Sequence, residues 1–315
     1  MEEFLFSVDV VAPLFVLMAI GYFARKINFV SGSFLSQMNR FVFQFLLPMM
    51  LFEDIRITYR GDFSNGKLIL LVLAGLAAII LLTSLAVHLF IRRRGQQGSM
   101  IQGIYRSNFL IYGYPLATAM CGDSAITAIA MMMAIVIPVY NVLAVVILTL
   151  HSEKSGKRID IKKLLKDIIS NPLIIGCCLG LIFGSLHIGF PHFIELPIEQ
   201  ISRIATPLAL FVMGGEFQFS SLRNNIWKVV AATVSRLIFI PVIMLFIAVE
   251  MGFRGAELSV LVSLFATPTA VVSYIMADNM GNDGELSAQI VIMTTGLASF
   301  TIFLIVFFLR TWGYL

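Results

Sequence analysis

Ten apolar runs, each bounded by charges or turn residues, divide the chain at about 9 to 25, 34 to 53, 67 to 91, 99 to 121, 124 to 150, 170 to 188, 197 to 216, 226 to 250, 256 to 279 and 285 to 310. Runs near twenty residues match the hydrocarbon core of a bilayer at a helical rise of 1.5 Å per residue, so each predicts a spanning helix. The second, fourth, seventh and ninth are the least apolar. Arg40 and Arg203 interrupt the second and seventh, and a proline with small or polar neighbours interrupts the fourth and ninth.

The fourth run reads Ser107-Asn108-Phe109-Leu110-Ile111-Tyr112-Gly113-Tyr114-Pro115, and the ninth Ala266-Thr267-Pro268-Thr269-Ala270. Proline removes an intrahelical N–H and clashes one turn back, while Gly113 lets the backbone turn aside. The sequence therefore predicts two helices broken in mid-membrane, each resuming at its proline, Pro115 or Pro268. Irregular backbone at that depth survives only where protein or water satisfies it, so the breaks are expected to face each other. Two half-helix N-termini meeting there would favour an anion. Asn108 adds an amide donor, and Thr267 and Thr269 add hydroxyls from the other side.

Charge between the runs sets orientation, since Lys and Arg stay cytoplasmic. Arg25 and Lys26, Arg92 to Arg94, the basic His151 to Asp167 loop, and Arg223 with Lys228 follow runs one, three, five and seven. Both termini are thus expected outside, and the basic loop reads as a topology signal on a solvated linker. The chain also repeats itself. Pro13-Leu14 then Gly21 returns as Pro172-Leu173 then Gly180, and Pro48 with Leu51-Phe52 returns as Pro207 with Leu210-Phe211, each at an offset of 159. Five runs per unit is odd, so the second unit enters from the opposite side, as an inverted repeat. The expected organisation is residues 1–150, a basic linker at 151–169, and residues 170–315.

Composition agrees with a membrane protein: 59% of residues are hydrophobic, 13% charged, and the mean hydropathy is +0.93. The net charge of +4 belongs to topology rather than to nucleic acid, because no basic face with interleaved aromatics exists. Cys121, Cys177 and Cys178 show neither disulfide nor zinc spacing, and the acidic Met1-Glu2-Glu3 start lacks a signal-peptide n-region. His88 and His187 lie near run ends and His192 in a loop. With no Walker motif, His-Glu-x-x-His or Ser/His/Asp set, the sequence indicates no enzyme, cofactor or metal.

Charges inside the runs are the remaining chemistry. Arg236, ten residues into the eighth run, carries the largest insertion cost and demands a partner, either substrate or structure. Arg40 is weighed between substrate or gating contact and structural pairing, and Arg106 and Arg203 are placed at membrane interfaces. Asn141 is a buried amide that lines a path or packs helices. Gly176, Gly180 and Gly184 form a face for close helix packing.

These residues resemble the auxin efflux carrier family, which includes the plant PIN-FORMED carriers and bacterial relatives assigned to malate and malonate. The resemblance rests on Asn39-Arg40-Phe41-Val42 with Pro48, Asn108-x4-Gly113-x-Pro115, Asn171-Pro172 with Gly180-Leu181-Ile182, Arg236-x4-Pro241, Gly252-x-Arg254-Gly255 and Ala266-Thr267-Pro268. It implies an all-α fold of ten transmembrane helices in two inverted five-helix repeats, with helices 4 and 9 crossing at their prolines. It further implies a scaffold of helices 1, 2, 6 and 7, a transport domain of the other six, and carboxylate held at the crossing with Asn108 among its contacts. The short central loop and Thr269-Ala270-Val271 after Pro268 look more like the bacterial members than the plant carriers.

The expectation is a multi-pass protein of the cell membrane that carries small organic anions, mono- or dicarboxylates, by elevator-type alternating access. Its site would draw on Asn108, Gly113, Tyr114, Pro115, Thr267, Pro268, Thr269, Asn141, Arg40 and Arg236. Two rivals stay open at this stage: an anion channel, which would pass currents without counterflow, and a carboxylate-binding receptor, which would bind without flux. A homodimer also stays open.

Overall fold

Short polar residues start many of the helices. Ser31 Oγ accepts the amide of Phe34 at 3.1 Å, Asn65 Oδ1 that of Leu68 at 3.1 Å, Asn171 Oδ1 that of Leu173 at 3.0 Å and Asp283 Oδ1 that of Leu286 at 2.9 Å, each satisfying an N–H the helix cannot pair itself. The computed structural model describes residues 2–58, 65–153, 165–166, 168–217 and 219–315, with side chains outside 2–11, 114, 123 and 219–224. Most of the basic linker, including Lys154 to Lys163, lies outside the described residues.

The described residues are helical almost throughout: α1 (Glu2–Lys26), α2 (Gly32–Phe41), α3 (Leu47–Thr58), α4 (Gly66–Phe90), α5 (Arg94–Tyr105), α6 (Tyr114–Cys121), α7 (Ile126–His151), α8 (Pro172–Ser185), α9 (His192–Glu216), α10 (Phe219–Val234), α11 (Ile240–Glu250), α12 (Gly255–Phe265), α13 (Val272–Asn279) and α14 (Gly284–Thr311). Among them, Gly66–Phe90, Ile126–His151, Asn225–Glu250 and Gly284–Thr311 are by themselves long and apolar enough to cross a membrane. Leu81, Leu82, Leu85 and Leu89 of α4 stand exposed, whereas Arg106, Asn108, Asn141 and Arg236 are buried. Apolar outside and polar inside is the pattern expected when lipid is the solvent.

Among the described residues three turns widen to π-helix, at Val42–Leu46, Phe109–Gly113 and Ser235–Phe239. Each ends two residues before a proline: Pro48, Pro115 or Pro241. Proline has no N–H to return to the preceding turn, and its ring crowds the carbonyl there. Widening the turn by one residue relieves that clash, and the amides of Leu47 and Ile240 accordingly donate five residues back, to Val42 and Ser235.

Pro115 therefore bends its segment without breaking it, which corrects the expected break position. α5 stops at Tyr105, Arg106 to Asn108 leave the helix, and helical backbone resumes at Phe109 and continues into α6. In the ninth segment α12 stops at Phe265, the chain crosses through Thr267 to Ala270, and α13 starts at Val272 rather than at Pro268. The two non-helical pieces satisfy each other: Asn108 N donates to Pro268 O at 2.7 Å, Ala270 N donates to Arg106 O at 3.2 Å, and Ser107 bridges Thr269 in antiparallel fashion. That mutual pairing, unavailable around Pro115, decides where the helix opens.

Around the crossing, α5 packs on α4, α7, α13 and α14, and α12 packs on α6 and α11. The other helices form close backbone pairs, α1 with α9 and α3 with α8. A Cβ on Gly21 would lie 2.0 Å from the Phe211 carbonyl oxygen, and one on Gly180 2.7 Å from that of Phe52. Gly176 likewise faces Pro48, so the small-residue face read from sequence is a helix-packing face.

Candidate functional site

The crossing gathers four helix ends: the C-termini of α5 and α12, and the N-termini of the helix from Phe109 and of α13. Free carbonyls at the first two make a negative pole, and free N–H groups at the second two a positive one. Arg236, projected by its π turn and wholly buried, covers the negative pole. Its Nε donates to Thr267 O at 2.9 Å, its Nη2 to Leu264 O at 2.9 Å and its Nη1 to Tyr105 O at 3.3 Å. The guanidinium thus has backbone partners and is absent from the cavity wall described next, whereas the sequence places Arg236 among the expected substrate contacts.

A cavity of about 50 Å³ opens at the crossing, with Arg106, Ser107, Asn108, Tyr140, Asn141 and Thr206 as its polar lining. Asn108 Nδ2 is buried there without a hydrogen-bond partner among the described residues. Arg106, 4% exposed, donates from Nη2 to Asn141 Oδ1 at 2.8 Å and from Nη1 to Met276 Sδ at 2.7 Å. No carboxylate lines the cavity or pairs with Arg106 among the described residues. Asn141 is itself fixed by Nδ2 donating to Ile137 O at 2.8 Å, and Ser107 Oγ lies 3.0 Å from the Tyr140 hydroxyl. A buried cation held by neutral partners, beside an unused amide donor, forms a pocket that an anion would complete.

The other expected site residues fall elsewhere. Thr267 Oγ1 donates to Ser263 O and Thr269 Oγ1 to Gly103 O, at 2.8 and 2.6 Å, so both hydroxyl protons already tie the crossing backbone. Pro268 contributes the carbonyl that Asn108 N uses, Gly113 leaves room for the Phe109 ring where a Cβ would lie 2.5 Å from it, and Pro115 sits in the first turn of α6. The Tyr114 side chain lies outside the described residues. Arg40 is exposed, away from the cavity. Its neighbour Asn39 is 1% exposed and bonds Asp278 Oδ2 at 2.7 Å and Asn279 Nδ2 at 2.9 Å, joining α2 to α13. Tyr274 of α13 donates its hydroxyl proton to Glu216 of α9 at the same junction.

Sequence reasoning missed Arg106, Ser107 and Tyr140. The position of Arg106 near the start of its run points to an interface, but α5 stops at Tyr105, and Arg106, the first residue outside the helix, is buried. The signal present was an arginine directly before Ser-Asn in a run already known to be interrupted.

The chain is similar to the membrane transport protein family over residues 6–306. An uncharacterized transporter of Methanothermobacter thermautotrophicus is 24% identical over 302 residues, covering 94% of this chain and 96% of the relative. A protein of Rhizobium meliloti named as a malonate transporter is 21% identical over 306 residues, covering 96% and 95%. Auxin efflux carrier component 5 of Arabidopsis thaliana is 24% identical over 315 residues, covering 87% and 88%.

Proposed function

The chain belongs to the membrane transport protein family, which also holds the auxin efflux carriers, and on that premise we propose that it is a secondary carrier of small organic anions, mono- or dicarboxylates. The observation that carries this reading is the cavity at the crossing, where Arg106 lacks a carboxylate partner and Asn108 Nδ2 lacks any partner among the described residues. A substrate carboxylate accepts from Asn108 Nδ2 and lies beside the Arg106 guanidinium. Helix termini contribute about 0.3–1 kcal/mol each to such binding, up to ~2 when partly buried. A unit charge 4 Å away at an effective dielectric of 20 contributes about 4 kcal/mol before desolvation. The Arg106 guanidinium and the half-helix ends act together as the source of anion preference, and Asn141 holds the arginine in place.

Ten spans in two inverted repeats, both termini outside the cell membrane, complete the reading. Gly21 against Phe211 and Gly180 against Phe52 are the same contact made twice at the offset of 159, as a two-fold related pair of repeats would make it. The pairs α1–α9 and α3–α8 serve as scaffold, and the helices around the crossing move against them in an elevator stroke. Asn39–Asp278 and Tyr274–Glu216 latch the two groups in the conformation described here.

Counterflow in proteoliposomes against a panel of mono- and dicarboxylates tests the function. Saturable exchange of at least one carboxylate is expected. Unsaturable currents without counterflow would make the protein a channel, and binding without flux would make it a receptor.

A further inference from the structure

Outside the crossing, two histidines 63 positions apart meet where α4 and α7 end. His88 Nδ1 lies 2.6 Å from Ser84 O, and His151 Nδ1 lies 2.7 Å from Ile147 O, each a bond to the preceding turn of its own helix. A carbonyl oxygen only accepts, so each Nδ1 carries the proton and each neutral ring leaves its Nε2 as a bare lone pair. Those two Nε2 atoms face each other at 3.3 Å, with ring centroids 5.2 Å apart and planes tilted by 57°. Two acceptors at that distance repel unless something electron-poor sits between them.

The spacing identifies what fits. Imidazole nitrogens bind zinc at about 2.0–2.1 Å in tetrahedral geometry, which separates two of them by about 3.3 Å. The Nδ1–H to carbonyl bonds are the outer contacts that fix tautomer and ring direction in histidine metal sites. We propose that His88 and His151 form a surface site for a borderline divalent metal ion such as zinc, nickel or cobalt, which staples the end of α4 to the end of α7. Among the described residues no group of three or more His, Cys, Asp or Glu is arranged to hold a metal ion, and the proposal assigns the remaining coordination positions to water. Arg94 stands nearby and donates to Leu150 O, and Arg93 is paired at 3.1 Å with Glu153, which offsets part of the local positive charge. The spacing of 63 residues explains why no metal motif shows in the sequence.

Zinc titration of the purified full-length protein by calorimetry, with cobalt absorption and thermal unfolding as second readouts, tests this site. One zinc per chain is expected, with a rise in Tm that calcium and magnesium do not reproduce, because imidazole suits borderline rather than hard cations. His88→Gln and His151→Gln each remove a ligand, so each should weaken zinc binding by at least about tenfold, the lower range even for losing an outer contact. Both positions sit at helix ends on the surface, and equal Tm without metal would show that the variants fold. Zinc affinity unchanged in both variants would place any bound metal elsewhere and overturn the proposal. So would a pair whose effect on Tm depends on pH alone, which would mark a shared proton.

Discussion

Asn108 and Arg106 stand two residues apart and line one cavity, yet they are prepared differently for a ligand. Asn108 Nδ2 has no partner to lose, so Asn108→Ala should leave the Tm of the ligand-free protein nearly unchanged. The same change removes a donor to a charged group, and carboxylate affinity should fall by roughly 5- to 150-fold, corresponding to about 1–3 kcal/mol, as read by ligand-dependent thermal shift. Equal affinity would remove Asn108 from the site. Arg106→Gln should abolish saturable counterflow while the protein still purifies folded, with partial rescue by Arg106→Lys, which restores the charge without the fork. Arg236 predicts the opposite separation. Its guanidinium answers carbonyls of Thr267, Leu264 and Tyr105, so Arg236→Met should lower stability by about 2–4 kcal/mol and reduce folded yield before any question of substrate arises. A stable Arg236→Met protein with only a raised KM would return that arginine to the binding site.

Prolines and glycines act at the scale of elements. Because Pro115 follows a π turn and lies outside the extended crossing, Pro115→Ala should keep the crossing and retain counterflow, whereas a helix broken at Pro115 would lose it. The glycine contacts are less forgiving. Gly21→Leu and Gly180→Leu place side-chain atoms where carbonyl oxygens of Phe211 and Phe52 stand, and overpacking of this kind costs about 1–3 kcal/mol or more when backbone must shift. Both variants should unfold at lower temperature in detergent, and similar losses from the two would fit their matched places at the offset of 159.

At the scale of the whole molecule, the proposed elevator stroke would break the junction where Asn39 meets Asp278 and Asn279. In a background with Cys121, Cys177 and Cys178 replaced, Asn39→Cys with Asn279→Cys should cross-link on oxidation, stop counterflow and recover it on reduction. Full transport by the cross-linked protein would exclude the elevator stroke. Much of this architecture was legible beforehand, because hydropathy, loop charge and proline are local signals that survive without knowledge of neighbours. The membrane class, the helical segments and the two interrupted runs all came from such signals. The chain by itself could not locate the opening at Arg106 to Asn108, because that position is fixed by hydrogen bonds to Pro268 and Ala270, about 160 residues away. Nor could it assign the arginines: position in the run sets Arg236 deep and Arg106 near an edge, and only the assembled crossing turns Arg236 toward helix carbonyls and Arg106 into a cavity that no carboxylate lines among the described residues. Local chemistry determined that this protein spans a membrane with interrupted helices, and contacts between distant segments decided which polar side chains tie the crossing backbone and which line the cavity beside it.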